Sequence, residues 1–237
     1  MSTILVTGGT RGIGAACVRR FAMAGDRVFA VGRHEPDIEP STGDVIFIEC
    51  DLTAADGCRK LYEAVPVADV LINNAGLLPG CRFDDYPEEL RDAVIRLNMI
   101  VPAELSVHYG KLMAERGGGR IVSISSHAAR CGHPDIWYGM SKAAVVNMTA
   151  SCAALLGAKG VIVNAVAPGP VATEMALGQA DQSRYRVITE KTNTKRMAEP
   201  EEIADVVFWL AKESPVYLNG ETITVNDGAF SRNTGIS

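Results

Sequence analysis

The chain has 237 residues, room for one large domain or two small ones with an ample core. Apolar residues make up 47% and charged residues 22%, which excludes a disordered tail protein and a membrane bundle. The 23 Lys and Arg against 28 Asp and Glu leave a formal charge of -5, so neither nucleic acid nor an anionic membrane meets an attractive field, and any phosphate site has to be local.

After Met1 to Thr3 the chain enters an apolar run without the basic segment, hydrophobic stretch and cleavage site of a signal peptide, so a cytoplasmic location is expected. The run Ile4 to Thr7 reads as a first strand, and Gly8-Gly9-Thr10-Arg11-Gly12-Ile13-Gly14 follows it directly. A helical pattern over 12 to 24 completes a strand, glycine loop and helix. Glycines there let the backbone turn sharply and approach a pyrophosphate, which the helix N-terminus receives with amide donors. A tight structural turn uses the same residues, and the placement after a strand favours the ligand reading.

The second strand, Val28 to Val31, runs into Gly32 and Arg33 at the position where a dinucleotide fold presents an acid to the ribose hydroxyls of NAD. No acid stands at Gly32. Arg33 and Arg11 can bracket a 2′-phosphate instead, and charge-assisted bonds of about 1.5 to 3 kcal/mol each favour NADP. From His34 to Asp44, Pro36, Pro40, Ser41, Thr42 and Gly43 disfavour a crossover helix and predict a loop. A third strand over Val45 to Glu49 ends beside Asp51 and Leu52, ahead of a helical pattern over 54 to 65.

The fourth strand, Val70 to Ile72, leads into Asn73-Asn74-Ala75-Gly76, small residues that leave room for a nucleotide and also suit a plain turn. A long helical pattern over 87 to 114 carries Asn98, a mediocre helix former that needs a reason to be there; holding a water is one and simple exposure is another. The fifth strand, Arg120 to Ser123, delivers Ser125 and Ser126 to its carboxyl end. Tyr138 and Lys142 stand four apart at the start of a helical pattern over 138 to 157 and share one face. A nearby ammonium stabilises a phenolate, so Lys142 can tune Tyr138, although such pairs are common on helix surfaces. The uncharged stretch Ala143 to Ala158 is shorter than the roughly 20 apolar residues of a membrane span and reads as a buried helix.

Val161 to Val166 is a sixth strand and Thr222 to Val225 a seventh, with a helix over 200 to 212 announced by Glu-Pro-Glu-Glu. Between them, Pro170 to Met197 lacks strong periodicity and reads equally as a substrate lid or an ordinary surface loop. The strands are apolar nearly throughout, as in a parallel sheet covered on both faces, so the fold is predicted to be doubly wound α/β in a single domain over 1 to 237. Six scattered cysteines without CxxC spacing or a nearby His pair suggest free thiols, with no metal site.

Taken together, these residues resemble the short-chain dehydrogenase/reductase family over essentially the whole chain. The matching pieces are the TGxxxGxG loop at Thr7 to Gly14, Asp51, Asn73 to Gly76, Asn98, Ser126, Tyr138-x-x-x-Lys142, Asn164, Pro168-Gly169, Thr173 and Asp227-Gly228. The resemblance implies a Rossmann-like sheet of seven parallel strands and a catalytic group of Asn98, Ser126, Tyr138 and Lys142. In it, Tyr138 is the general acid, Ser126 holds the substrate oxygen, Lys142 binds the nicotinamide ribose and Asn98 supports a relay water. Ser125 stays open as an alternative hydroxyl, because the interval to Tyr138 is one residue shorter than usual. Gly8, Thr10, Arg11, Gly12, Ile13, Gly14 and Arg33, with Asp51, Leu52, Asn74, Ala75 and Gly76, are expected along the adenosine and pyrophosphate. Pro168, Gly169, Val171 and Thr173 are expected at the nicotinamide.

The reading implied is an NADP-dependent reductase of a 3-oxoacyl thioester or small ketone, the tail from Met197 to Gly228 being similar to 3-oxoacyl thioester reductases. Its rivals are an NAD-linked alcohol or polyol dehydrogenase and a nucleotide-sensing protein without turnover. The resemblance also implies a homotetramer or homodimer packed through the helices near 87 to 114 and 138 to 157.

Overall fold

Hydrophobic strands that alternate with helical segments have one economical arrangement, a sheet covered on both sides, and the computed structural model has it. It describes residues 1–35, 43–177 and 182–228. The strands are β1 (Thr3–Thr7), β2 (Arg27–Gly32), β3 (Val45–Glu49), β4 (Val70–Asn73), β5 (Gly119–Ile124), β6 (Val161–Pro168) and β7 (Thr222–Val225). They form one seven-stranded sheet in the order β3-β2-β1-β4-β5-β6-β7, every neighbouring pair parallel. The chain direction across the sheet reverses between β1 and β4, which opens a crevice at the carboxyl ends of the strands, where such folds bind ligands. The registers Thr7↔Val31, Asn73↔Ser123 and Pro168↔Val225 bring those ends level.

Alternate residues of each strand serve two cores. Ile4, Val6, Val28, Ala30, Val122 and Val166 pack under α1 (Gly12–Met23) and α8 (Pro200–Lys212), where Phe21 meets Phe208 with ring centres 5.2 Å apart. Leu5, Val31, Leu71, Ile121 and Val163 pack under α2 (Gly57–Ala64), α4 (Val101–Glu115) and α5 (Ile136–Leu156). All eight residues of β6 are buried, the mark of a strand covered on both faces.

The helix expected over 54 to 65 starts only at Gly57, because the chain first turns through Ala54 N–H to Asp51 O and Gly57 N–H to Ala54 O. The pattern over 87 to 114 is divided into α3 (Glu88–Ile95), a π-helical turn at Arg96–Ile100 and α4. Asn98 lies in that turn, and π turns inside helices accompany functional sites. The segment expected as a lid carries two short helices, α6 (Glu174–Leu177) and α7 (Gln182–Glu190). Its ends meet in a parallel bridge between Val171 and Ala198. The expected loop after His34 falls largely on 36 to 42, outside the described residues. Among the described residues no helix is long and apolar enough to cross a membrane. The cysteines are all free.

Candidate active site

The glycine loop joins β1 to α1 at the crevice. Gly8 and Gly12 take left-handed φ values of +62 and +53, a conformation glycine enters without strain. At Gly14 the reason is closeness: a Cβ would sit 2.0 Å from Gly8 O and 2.5 Å from Asn74 Nδ2. Thr173 Cγ2 approaches Gly12 from the far side, within 3.0 Å of where its Cβ would be. The first turn of α1 has no acidic residue, and no side chain caps its N–H groups. An uncapped helix N-terminus behind closely approachable backbone fits a pyrophosphate.

The hydroxyl of the motif's first residue supports this loop. Thr7, 1% exposed, donates through Oγ1 to Ile72 O at 3.2 Å and accepts from Asn74 N at 3.0 Å and Ala75 N at 3.1 Å. Asn74 Nδ2 in turn donates to Thr7 O and Gly8 O at 3.0 and 2.9 Å. The Asn74 amide nitrogen therefore braces the loop from below. Leu52 and Val171 are likewise core residues by their side chains, so only their backbone faces a ligand.

Gly32 explains the missing acid sterically, since a Cβ there would lie 2.4 Å from Thr10 Cγ2. Arg33 is exposed beside Asp51. Hydrogen bonds from Thr53 Oγ1 at 2.6 Å and Thr53 N at 2.8 Å hold the Asp51 carboxyl below the usual range, with a further contribution from Arg33. Arg11 makes a 3.3 Å ion pair with Glu174, both well exposed. Such a pair contributes little and leaves the guanidinium free to meet a phosphate.

At the other half of the crevice the strand parity of β5 separates the two serines. Ser125 Oγ donates to Lys142 O at 2.8 Å and is thereby committed to α5. Ser126 caps the short turn His127–Ala129 by accepting from Ala128 N at 3.1 Å. Asp135 caps α5 and accepts from Tyr138 N at 2.9 Å. Burial pushes the Tyr138 phenol above its ordinary value, the Ser126 hydrogen bond opposes the rise, and the Asp135 charge adds to it. Lys142, 5% exposed, donates through Nζ to Ile124 O at 2.9 Å and lies 5.7 Å from the Tyr138 ring centre. Burial pulls its ammonium down to about 8.

Asn98, 1% exposed, does not face out from its helix. Its Oδ1 accepts from Leu77 N at 2.8 Å and its Nδ2 donates to Leu77 O at 2.9 Å and Ser141 Oγ at 3.1 Å. The side chain thus behaves as a strand partner for the backbone just after Gly76. Gly76 lies between Lys142 Nζ and Asn98 Oδ1, which a Cβ would meet at 3.4 and 3.5 Å. Pro168 O receives His127 Nδ1 at 3.1 Å, and Gly169 N donates to Val225 O at 2.8 Å. The structure therefore gathers the glycine loop, Asn74 to Gly76, Asn98, Ser126, Tyr138, Lys142 and the 168 to 173 segment along one edge of the sheet. Thr7 was legible only as the first residue of the glycine motif, and Asp135 was not singled out, although an Asp just before a helical pattern is an N-cap signal.

A dinucleotide-type cradle beside a Ser, Tyr and Lys cluster defines an α/β oxidoreductase. Residues 8–229 match the family model described as enoyl-(acyl carrier protein) reductase. The chain is 35% identical to the short-chain reductase protein NovJ of Streptomyces niveus, over 96% of this chain and 93% of that one. It is 32% identical to the 3-oxoacyl-[acyl-carrier-protein] reductase FabG of Rickettsia felis, over 95% of each. A crystal structure from Beutenbergia cavernae, assigned as an NAD(P)-dependent gluconate 5-dehydrogenase with NADP bound at low occupancy, superimposes with a TM-score of 0.91. The two are 31% identical over 97% of each chain. The chain belongs to the short-chain dehydrogenase/reductase family and is an oxidoreductase.

Proposed function

We propose that the protein is an NADP(H)-dependent reductase that converts a ketone to a secondary alcohol, with a 3-oxoacyl thioester as its substrate class. The observation that carries this reading is the gathering of Ser126, Tyr138 and Lys142 where β5 leaves the sheet and α5 begins, with Lys142 Nζ 5.7 Å from the Tyr138 ring centre. These groups stand on the crevice edge that also holds the glycine cradle. The likeness to FabG supports the substrate class. The occupied site of the Beutenbergia cavernae relative, together with Gly32, Arg33 and Arg11 here, supports the cofactor.

When bound, the nicotinamide would supply the hydride. Ser126 holds the carbonyl oxygen and Tyr138 gives that oxygen its proton as negative charge develops on it. Burial keeps Tyr138 protonated at neutral pH, as a proton donor requires. Lys142 holds the nicotinamide ribose and returns a proton to Tyr138; an ammonium at about 8 is close enough to neutrality to do so. Asn98 fixes Leu77, and with it the floor of the site. The helices α6 and α7, whose flanks are joined by Val171 and Ala198, are the candidate lid over the substrate.

A polyol dehydrogenase is the second reading, favoured by the likeness to the Beutenbergia cavernae protein. The presence of Asn98, Ser126, Tyr138 and Lys142 together favours turnover over a nucleotide sensor. The enzyme works as a homodimer or homotetramer in the cytoplasm. NADPH oxidation with short 3-oxoacyl thioesters, wild type beside Tyr138→Phe, tests the reading. Turnover in the wild type and its loss in the variant is the expected result. Oxidation of polyols with NAD in place of thioester reduction overturns it.

A further inference from the structure

The first turn of α5 carries a buried charge that the proposed mechanism does not use. Asp135 is 2% exposed. One carboxyl oxygen accepts from Tyr138 N at 2.9 Å, and the other accepts from the Tyr86 hydroxyl at 3.1 Å, a residue 49 positions away. Tyr86 precedes Pro87, the cap of α3, on the stretch that leaves β4 past Leu77. Asn98 ties Leu77 at the near end of that stretch, so the Tyr86 contact ties its far end to the catalytic helix.

We propose that Asp135 is a positioning residue for Tyr138, clamping the start of α5 to Tyr86 so that the phenol is held beside Lys142. A cap needs only an uncharged acceptor, since Ser, Asn and Asp serve about equally well. A buried carboxylate shared with a distant tyrosine does more than cap: it fixes the entry of α5 against a second element. Its charge also acts on both phenols it serves, opposing ionisation of Tyr138 and, after burial, of Tyr86.

The titratable and charged groups around this pair come from each neighbouring element. Cys81 lies near Tyr86 on the stretch after β4. The His133 ring lies tilted against Tyr138 with centres 5.1 Å apart and meets Asp135 N and O through Nδ1. His127 lies near His133, and Lys142 lies on the next turn of α5. On α3, Arg91 stands over Trp137 at 5.8 Å with its guanidinium committed to Glu88 and Asp92.

This inference rests on Tyr138 as the proton donor, so its test reads the phenol without turnover. Tyr138 is titrated by phenolate absorbance in the ligand-free protein, each variant differenced against the same variant carrying Tyr138→Phe. Asp135→Asn keeps a cap acceptor and removes the charge, and the Tyr138 midpoint falls. Tyr86→Phe keeps the charge and removes the donor that disperses it, and the midpoint rises. A merely structural cap would loosen α5 in both variants and move the midpoint the same way in each. Shifts in the same direction, or no shift in either variant, overturn the proposal. Opposite shifts in a protein that reduces no carbonyl leave the clamp standing and reject the proposed reaction alone.

Discussion

Thr7→Val is the sharpest perturbation of the cradle, because it changes one buried hydroxyl into a methyl at nearly constant volume. The hydroxyl donates to Ile72 O and accepts from Asn74 N and Ala75 N. Valine leaves one carbonyl and two N–H groups without these partners. At about 1 kcal/mol per hydrogen bond, the loss is about 3 kcal/mol. For a domain of this size that lowers Tm by roughly 6 to 12 °C. The amides are also what hold Asn74 beneath Gly8 and Gly14, so cofactor affinity falls along with stability. Urea denaturation with and without NADPH separates the two effects, as ligand binding adds stability in proportion to affinity. A Thr7→Val protein within about 0.5 kcal/mol of wild type and equally stabilised by NADPH refutes the hub.

Gly32→Asp alone weakens both cofactors, because the new Cβ is driven against Thr10, 2.4 Å away, at the edge of the glycine loop; pairing it with Thr10→Gly restores binding and turns preference toward NADH, read by fluorescence titration with both nucleotides. The buried Lys142 has its proton affinity lowered from 10.5 to about 8, so between these values the unfolded chain binds more protons and stability rises with pH. Denaturation from pH 8 to 10 therefore shows wild type gaining stability relative to Lys142→Met; parallel curves contradict the buried ammonium.

The sheet was legible because both of its faces are covered. Strands such as β6, apolar at nearly every position, leave little room for an alternative, and all seven appear where the pattern put them. The π turn at Arg96–Ile100 was not legible, since one extra residue in a turn scarcely alters the apolar spacing around it. The sequence favoured Ser126 and left Ser125 as an alternative, without the reason that commits Ser125 to α5. Neighbouring residues leaving a strand point to opposite sides, and parity is known only when the strand's exit is fixed. The ties that assemble the site, Asn98 to Leu77 and Tyr86 to Asp135, are long-range side-chain contacts without a local signature. Asn98 looked like an ill-placed helix residue, when in fact it substitutes for a strand edge.

Gly169 N–H is satisfied by Val225 O on the last strand, while the glycine loop at the other end of the crevice hangs from the first. The binding edge is thus an assembly of strand ends drawn from nearly the whole length of the polypeptide, and no contiguous piece contains it. A nucleotide bound there acts as a cooperative link: its binding energy is available only to a chain whose first and last strands are both in register, and it penalises every partly folded form equally. Cofactor retention in such a protein is a readout of complete folding, and a pool of free cofactor selects intact molecules from misassembled ones before any substrate is present.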